Sequence, residues 1–105
     1  MRFSHKDKKD PRVSRQSTYA FDFVKKFDES PKEQGVFVLL NETSDVLYVG
    51  RAAAGGFEQT LSGLSDTVCA SNVVAYRWFV TEDEQAADAL AQHWIGKYQP
   101  DNQAL

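Results

Sequence analysis

A single cysteine, Cys69, stands in 105 residues. No internal disulfide can staple the fold, and the chain reads as a protein of a reducing compartment whose one thiol is a small buried or half-buried side chain. Long apolar runs are missing as well. Nothing approaches the roughly 18 consecutive apolar residues of a membrane-spanning helix, and Met1-Arg2-Phe3-Ser4-His5-Lys6 leads into charge rather than into an apolar export signal. The expectation is an unexported, cytoplasmic protein with no membrane partner. His5 and His93 are the only histidines, with no cysteine or histidine at ligand spacing, so zinc is not indicated and His93 reads as a helix-surface or C-terminal-turn residue. Gly50 and Gly55 have the gap of a phosphate-binding loop, but Gly56-Phe57 occupies the place of the lysine and hydroxyl that such a loop needs. No Gly-x-Ser-x-Gly occurs, and no serine is paired with a base.

Positive charge is scarce over most of the chain. The formal net charge is -3, yet residues 1–15 carry six bases (Arg2, Lys6, Lys8, Lys9, Arg12, Arg15) against two acids, while residues 34–105 carry three bases against nine acids. A surface that holds a phosphate backbone needs clustered Lys and Arg, because charge neutralisation supplies most non-specific affinity. The body lacks such a cluster. Lys6, Lys8, Lys9, Arg12 and Arg15 are therefore the nucleic-acid-binding candidates, with Arg51 added from the body. Residues 1–16 show no apolar periodicity and are expected to form a basic flexible arm, either a solvated tail or a segment that contacts DNA. One domain, residues 17–105, is expected to follow.

From Ser17 the pattern changes. Ser17 or Thr18 can cap a helix whose residues Ala20, Phe23, Val24 and Phe27 share one face, and Pro31 ends it. Gly35 to Leu40 and Val46 to Gly50 read as two strands joined by the turn-forming Asn41-Glu42-Thr43-Ser44-Asp45. Residues 57–64 suggest a short helix weakened by Gly63, residues 65–72 a loop, and Val73 to Val80 a third strand. Thr81-Glu82-Asp83-Glu84 matches a capping box, and a helix with the stripe Ala87, Leu90, Ala91, Trp94, Ile95 and Tyr98 follows until Pro100. This order implies an α+β domain, a small three-stranded antiparallel sheet flanked by helices. Alternation puts Tyr76, Trp78 and Val80 on one face of the third strand and Arg77 with Phe79 on the other. Phe37, Tyr48, Tyr76, Trp78 and Phe79 could stack on bases, although a small sheet has a stronger need of them as core.

Gly35-Val36-Phe37, the ten-residue interval to Tyr48-Val49-Gly50-Arg51-Ala52, and Trp94-Ile95-Gly96-Lys97-Tyr98-Gln99-Pro100 before Asn102 together resemble the GIY-YIG nuclease family over roughly residues 19–102. The resemblance implies a three-stranded antiparallel sheet with helices. In active members it implies metal-dependent DNA cleavage by a helix glutamate that holds the metal, tyrosines from the two signature motifs and an arginine on the short helix. Hydrolysis of a phosphodiester needs a cation to neutralise developing charge and a group to accept a proton. Set on this sequence, Tyr48 is kept and Arg51 matches the basic residue that follows it, but Phe37 replaces the first tyrosine and cannot exchange a proton. Residues 57–64 contain no arginine. The metal-binding glutamate falls at Ala91, and Asn102 stands one residue closer to the proline than the family's asparagine.

Phe37, Tyr48, Arg51, Ala91 and Asn102 are thus the expected remnant of a site with no metal ligand. Magnesium would require a ligand set that the sequence does not display, since Glu84 lies about 10 Å along the helix from Ala91 and Asp88 and Gln92 lie to its side. The expectation is a catalytically inactive binding module associated with nucleic acid. Two alternatives stand beside it: a domain that binds another protein or itself, and an active metal-dependent endonuclease with relocated ligands.

Overall fold

The computed structural model of the chain describes Phe3, residues 10–16, the backbone of residues 21–22, and residues 32–52, 56–60 and 73–98. Five strands and two helical segments lie within them: β1 (Val13–Gln16), β2 (Phe21–Asp22), β3 (Gly35–Leu40), β4 (Val46–Ala52), α1 (residues 57–60), β5 (Ala75–Thr81) and α2 (Glu84–Tyr98). All strand pairs are antiparallel, in the order β1-β5-β3-β4, with β2 also paired to β5. The expected α+β architecture is present. Its three expected strands are β3, β4 and β5, and β1 and β2 extend the sheet beyond β5. No helix among the described residues is long and apolar enough to cross a membrane.

Strand β3 is the middle of the sheet and is buried along its whole length. A run of apolar residues without polar alternation is what a strand covered on both faces requires. Phe37 and Leu39 join Leu47, Ala52, Phe57, Tyr76 and Val80 on one face. Val36, Val38 and Leu40 join Val49, Phe79 and the α2 residues Ala87, Leu90, Ala91, Trp94 and Tyr98 on the other. The alternation expected of the last strand is therefore observed, and Phe79 lies against α2 rather than in solvent, its ring 5.0 Å from that of Trp94.

The β3–β4 turn is built by Asn41. Its Oδ1 accepts the backbone N–H groups of Thr43 at 3.0 Å and Asp45 at 2.9 Å, while its carbonyl accepts the N–H of Ser44. This side-chain mimicry of a backbone turn is what asparagine does in such positions. Leu40 pairs with Val46 and Leu39 with Tyr48, so Leu47 is an extra residue on β4 that makes a bulge.

Helix α2 starts two residues later than a Thr81 cap predicts. Thr81 is the last residue of β5, and its hydroxyl donates to the carbonyl of Asp83. Asp83 is the cap: its Oδ1 accepts the N–H of Ala86 at 2.7 Å. The strand pairing of Thr81 holds its backbone extended, which leaves the adjacent acid to satisfy the helix end.

The flexible arm expected over residues 1–16 is corrected for its described part. Val13, Arg15 and Gln16 pair with Thr81, Val80 and Phe79 in β5. Phe3 packs against Phe79, Trp94 and Tyr98, with ring centroids 5.2–5.7 Å apart, and its N–H bonds the carbonyl of Ser44. Burial of an aromatic ring and the open edge of β5 outweigh the polar composition of the segment. The helix predicted from Ser17 is also corrected at Phe21–Asp22, which lie in β2. Its remaining positions, the predicted loop at 65–72 and Asn102 lie outside the described residues.

Gly50 faces Phe37 across the β3–β4 pair, and a Cβ on it would fall 2.2 Å from the ring. Gly50→Ala is therefore expected to cost about 1–3 kcal/mol in urea unfolding, with the cost reduced when Phe37→Leu is introduced alongside. Phe3→Ala is expected to cost about 1–3 kcal/mol, below the 3–5 kcal/mol of a fully buried ring. An unchanged unfolding midpoint would show that Phe3 is not docked.

Candidate functional site

The hairpin β3–β4 sets Tyr48 beside Phe37. Their rings are nearly parallel, with centroids 6.1 Å apart and planes inclined by 19°. Phe37 is wholly buried and also meets Phe57 of α1 edge-on. Phe57 in turn contacts Trp78 at 6.4 Å. Phe37 thus serves as core between two strands and a helical turn, which is a sufficient structural reason for an apolar ring there. Tyr48 and Trp78 are only partly buried. Burial holds the Tyr48 hydroxyl above its ordinary titration range, so it is protonated at neutral pH and can donate a hydrogen bond. Of the five rings that could have stacked on bases, Phe37, Tyr76 and Phe79 are fully covered.

Arg51 and Ala91 lie on the other side of the sheet. Arg51 pairs in register with Val36, whose side chain packs toward α2. Its guanidinium emerges at the rim with its side chain 50% exposed and faces Asp88 of α2 at 3.7 Å. Ala91 packs into the seam between α2 and the sheet and is 5% exposed. The structure therefore does not gather the four described residues of the predicted remnant in one place. Phe37 and Tyr48 form one half, Arg51 and Ala91 the other, with the sheet between them.

At Phe37 and Ala91 the side chains have no atom that could ligate a divalent cation. A methyl group and a phenyl ring offer no oxygen donor, and no group of three or more His, Cys, Asp or Glu side chains able to hold a metal occurs among the described residues.

The arginine candidates of the N-terminal segment are each matched to an acid. Arg12 Nε and Nη2 bond both oxygens of Asp10, at 2.9 and 2.7 Å, and Nη2 also donates to His93 Nδ1 at 2.9 Å. His93 must accept there, because a guanidinium carries only donors. The contact ties the turn before β1 to the exposed face of α2. Arg15 forms an ion pair with Glu33. Lys6, Lys8 and Lys9 lie outside the described residues. Arg77, which no motif singled out, is buried with its guanidinium 5.7 Å from the centre of the Phe79 ring, and desolvation lowers its pKa. Asp10 could have been suspected as a partner from its two-residue spacing to Arg12. Glu33 and Asp88 gave no such signal, since only the fold brings them to Arg15 and Arg51.

A small antiparallel sheet, one long capped helix on one face and an aromatic cluster with a helical turn on the other define the class: an α+β domain whose only half-exposed polar ring on β3–β4 is Tyr48. The chain is similar to part of UvrABC system protein C. It is 29% identical to that of Clostridium tetani and 31% identical to that of Clostridium beijerinckii, each over an 87-residue alignment that covers 76% of this chain. The match takes up 14% of each relative, so the chain spans about a seventh of their length. No model of a protein family matches the chain.

The hydrogen bonds from the Arg12 side chain lower the pKa of Asp10 against a smaller opposing effect of burial. A carboxyl whose folded pKa is depressed adds stability above the unfolded value, about 3.9, and that contribution is lost as pH falls through the folded value. Asp10→Asn is accordingly expected to destabilise the protein near neutral pH and to make its stability less sensitive to acid below about pH 4. Urea unfolding of both proteins across that range checks it. An acid-side slope identical to that of the parent would show that the Asp10–Arg12 pair does not persist in solution.

Proposed function

We propose that this chain is a GIY-YIG-like module with a nucleic-acid-associated role, acting by binding and not by cutting phosphodiesters. The likeness to UvrABC system protein C over 76% of the chain is the observation that carries the nucleic-acid side of the reading. The non-cutting side is supported by Phe37, which has no proton to exchange, and by Ala91, which has no oxygen for a metal. In this reading no divalent cation takes part. Lys6, Lys8 and Lys9 supply the attraction to DNA, and Arg51 supplies a rim contact.

Incubation with supercoiled plasmid and magnesium or manganese is expected to leave the plasmid intact. Metal-dependent nicking that disappears in Tyr48→Phe or Arg51→Ala would overturn the reading. Binding to a labelled duplex should weaken steeply with salt, because each phosphate neutralised contributes a slope of about -0.9 in log affinity against log salt. Replacing Lys6, Lys8 and Lys9 together by glutamine should flatten that slope. Charge substitution is the appropriate test, because deleting residues 1–15 would also remove Phe3 and most of β1 from the fold.

A second reading, association with another protein or with a second copy of this chain, is supported by β4, which has a strand neighbour on one edge only among the described residues. An unpaired edge is a ready template for strand addition. A molecular mass that rises with concentration, together with no DNA binding at low salt, would favour it over the first.

A further inference from the structure

We propose that Asp88 is an internal competitor for the anion that Arg51 would otherwise hold, so that the rim between β4 and α2 is a self-occluded phosphate-binding position. The inference rests on the nucleic-acid reading above and assigns to Asp88 a regulatory part in it. Arg51 projects from β4 beyond the bulge at Leu47, where Tyr48 to Ala52 pair residue by residue with β3. Asp88 projects from α2, which packs on the same sheet through Ala87, Leu90, Ala91 and Trp94. Neither backbone needs to move for the two charges to face each other.

The contact is nevertheless a loose one. At 3.7 Å it exceeds the 2.7–2.9 Å of a charge-assisted hydrogen bond, and both side chains are about half exposed. A phosphate can take two guanidinium N–H groups at once in short, parallel hydrogen bonds, which the carboxylate does not do here. An incoming phosphate would therefore displace Asp88 at a modest cost, because exposed pairs of this kind contribute little. The pairing raises the threshold for an anion without closing the position. Arg12 and Arg15 are likewise met by Asp10 and Glu33. Arg51 differs from Arg12 in that its acid partner makes no bidentate grip.

The test is fluorescence anisotropy with a short labelled duplex at low salt. Asp88→Asn is expected to tighten binding by roughly 1.5- to 5-fold, the range set by the strength of an exposed ion pair. Glu84→Gln makes the same charge change elsewhere on α2 and should do less. Arg51→Ala combined with Asp88→Asn should erase the gain. An equal gain from Glu84→Gln, or a gain that survives Arg51→Ala, would reduce the effect to bulk charge and overturn the proposal. If no variant binds the duplex, the nucleic-acid reading itself fails. Titration with inorganic phosphate, followed by NMR at the Arg51 Nε–H signal, then decides the present point: a shift that saturates at lower phosphate in Asp88→Asn sustains it, and identical titrations overturn it.

Discussion

Strand β3 hydrogen-bonds to β4 on one edge and to β5 on the other while apolar layers cover both its faces. A strand in that position can carry no polar side chain cheaply, since a buried group without a partner costs about 1–3 kcal/mol. The aromatic ring of Phe37 fits this constraint without demanding a hydrogen bond, and Gly50 opposite leaves the space for it. Much of the candidate site follows. Tyr48, one strand over, is only partly buried, whereas the residue at position 37 is wholly buried.

The same two-sided burial divides the residues that the sequence pattern groups together. Side chains on adjacent positions of a strand leave on opposite faces. Phe37 therefore points to α1 and Trp78, and Val36 points to α2 together with Arg51 of the neighbouring strand. Phe37 and Ala91 each lack an oxygen donor for a different reason: at Phe37 a ring fills the core, and at Ala91 a small side chain packs in the seam between α2 and the sheet. Each of the two side chains has a packing role of its own.

Electrostatics at the surface follow a single pattern. Arg12, Arg15 and Arg51, the described bases with a candidate role, each meet an acid from elsewhere in the fold or from a nearby turn. An acidic chain thereby spends carboxylates on its own cations, and any anionic partner must compete with them. Where the pair is bidentate and partly covered, as at Asp10–Arg12, the competition is costly and the pair serves the fold. Where it is long and exposed, as at Arg51–Asp88, the cation remains exchangeable.

The hairpin β3–β4, strand β5, the helix stripe of α2 and the alternation of Tyr76 and Trp78 against Phe79 were all legible in the sequence. Each is a local matter of period, turn chemistry and β-branched or aromatic content. Strands β1 and β2, the docking of Phe3, the cap at Asp83 and the acid partners of Arg15 and Arg51 were not, because they depend on residues far apart in the chain or on which edge of the sheet remained open. Residue types alone determined that Phe37 cannot exchange a proton and that Ala91 cannot bind a metal. The tertiary structure decided that these two positions lie on opposite faces, since only the pleat of a strand and the packing of α2 against one side of it say where a side chain ends.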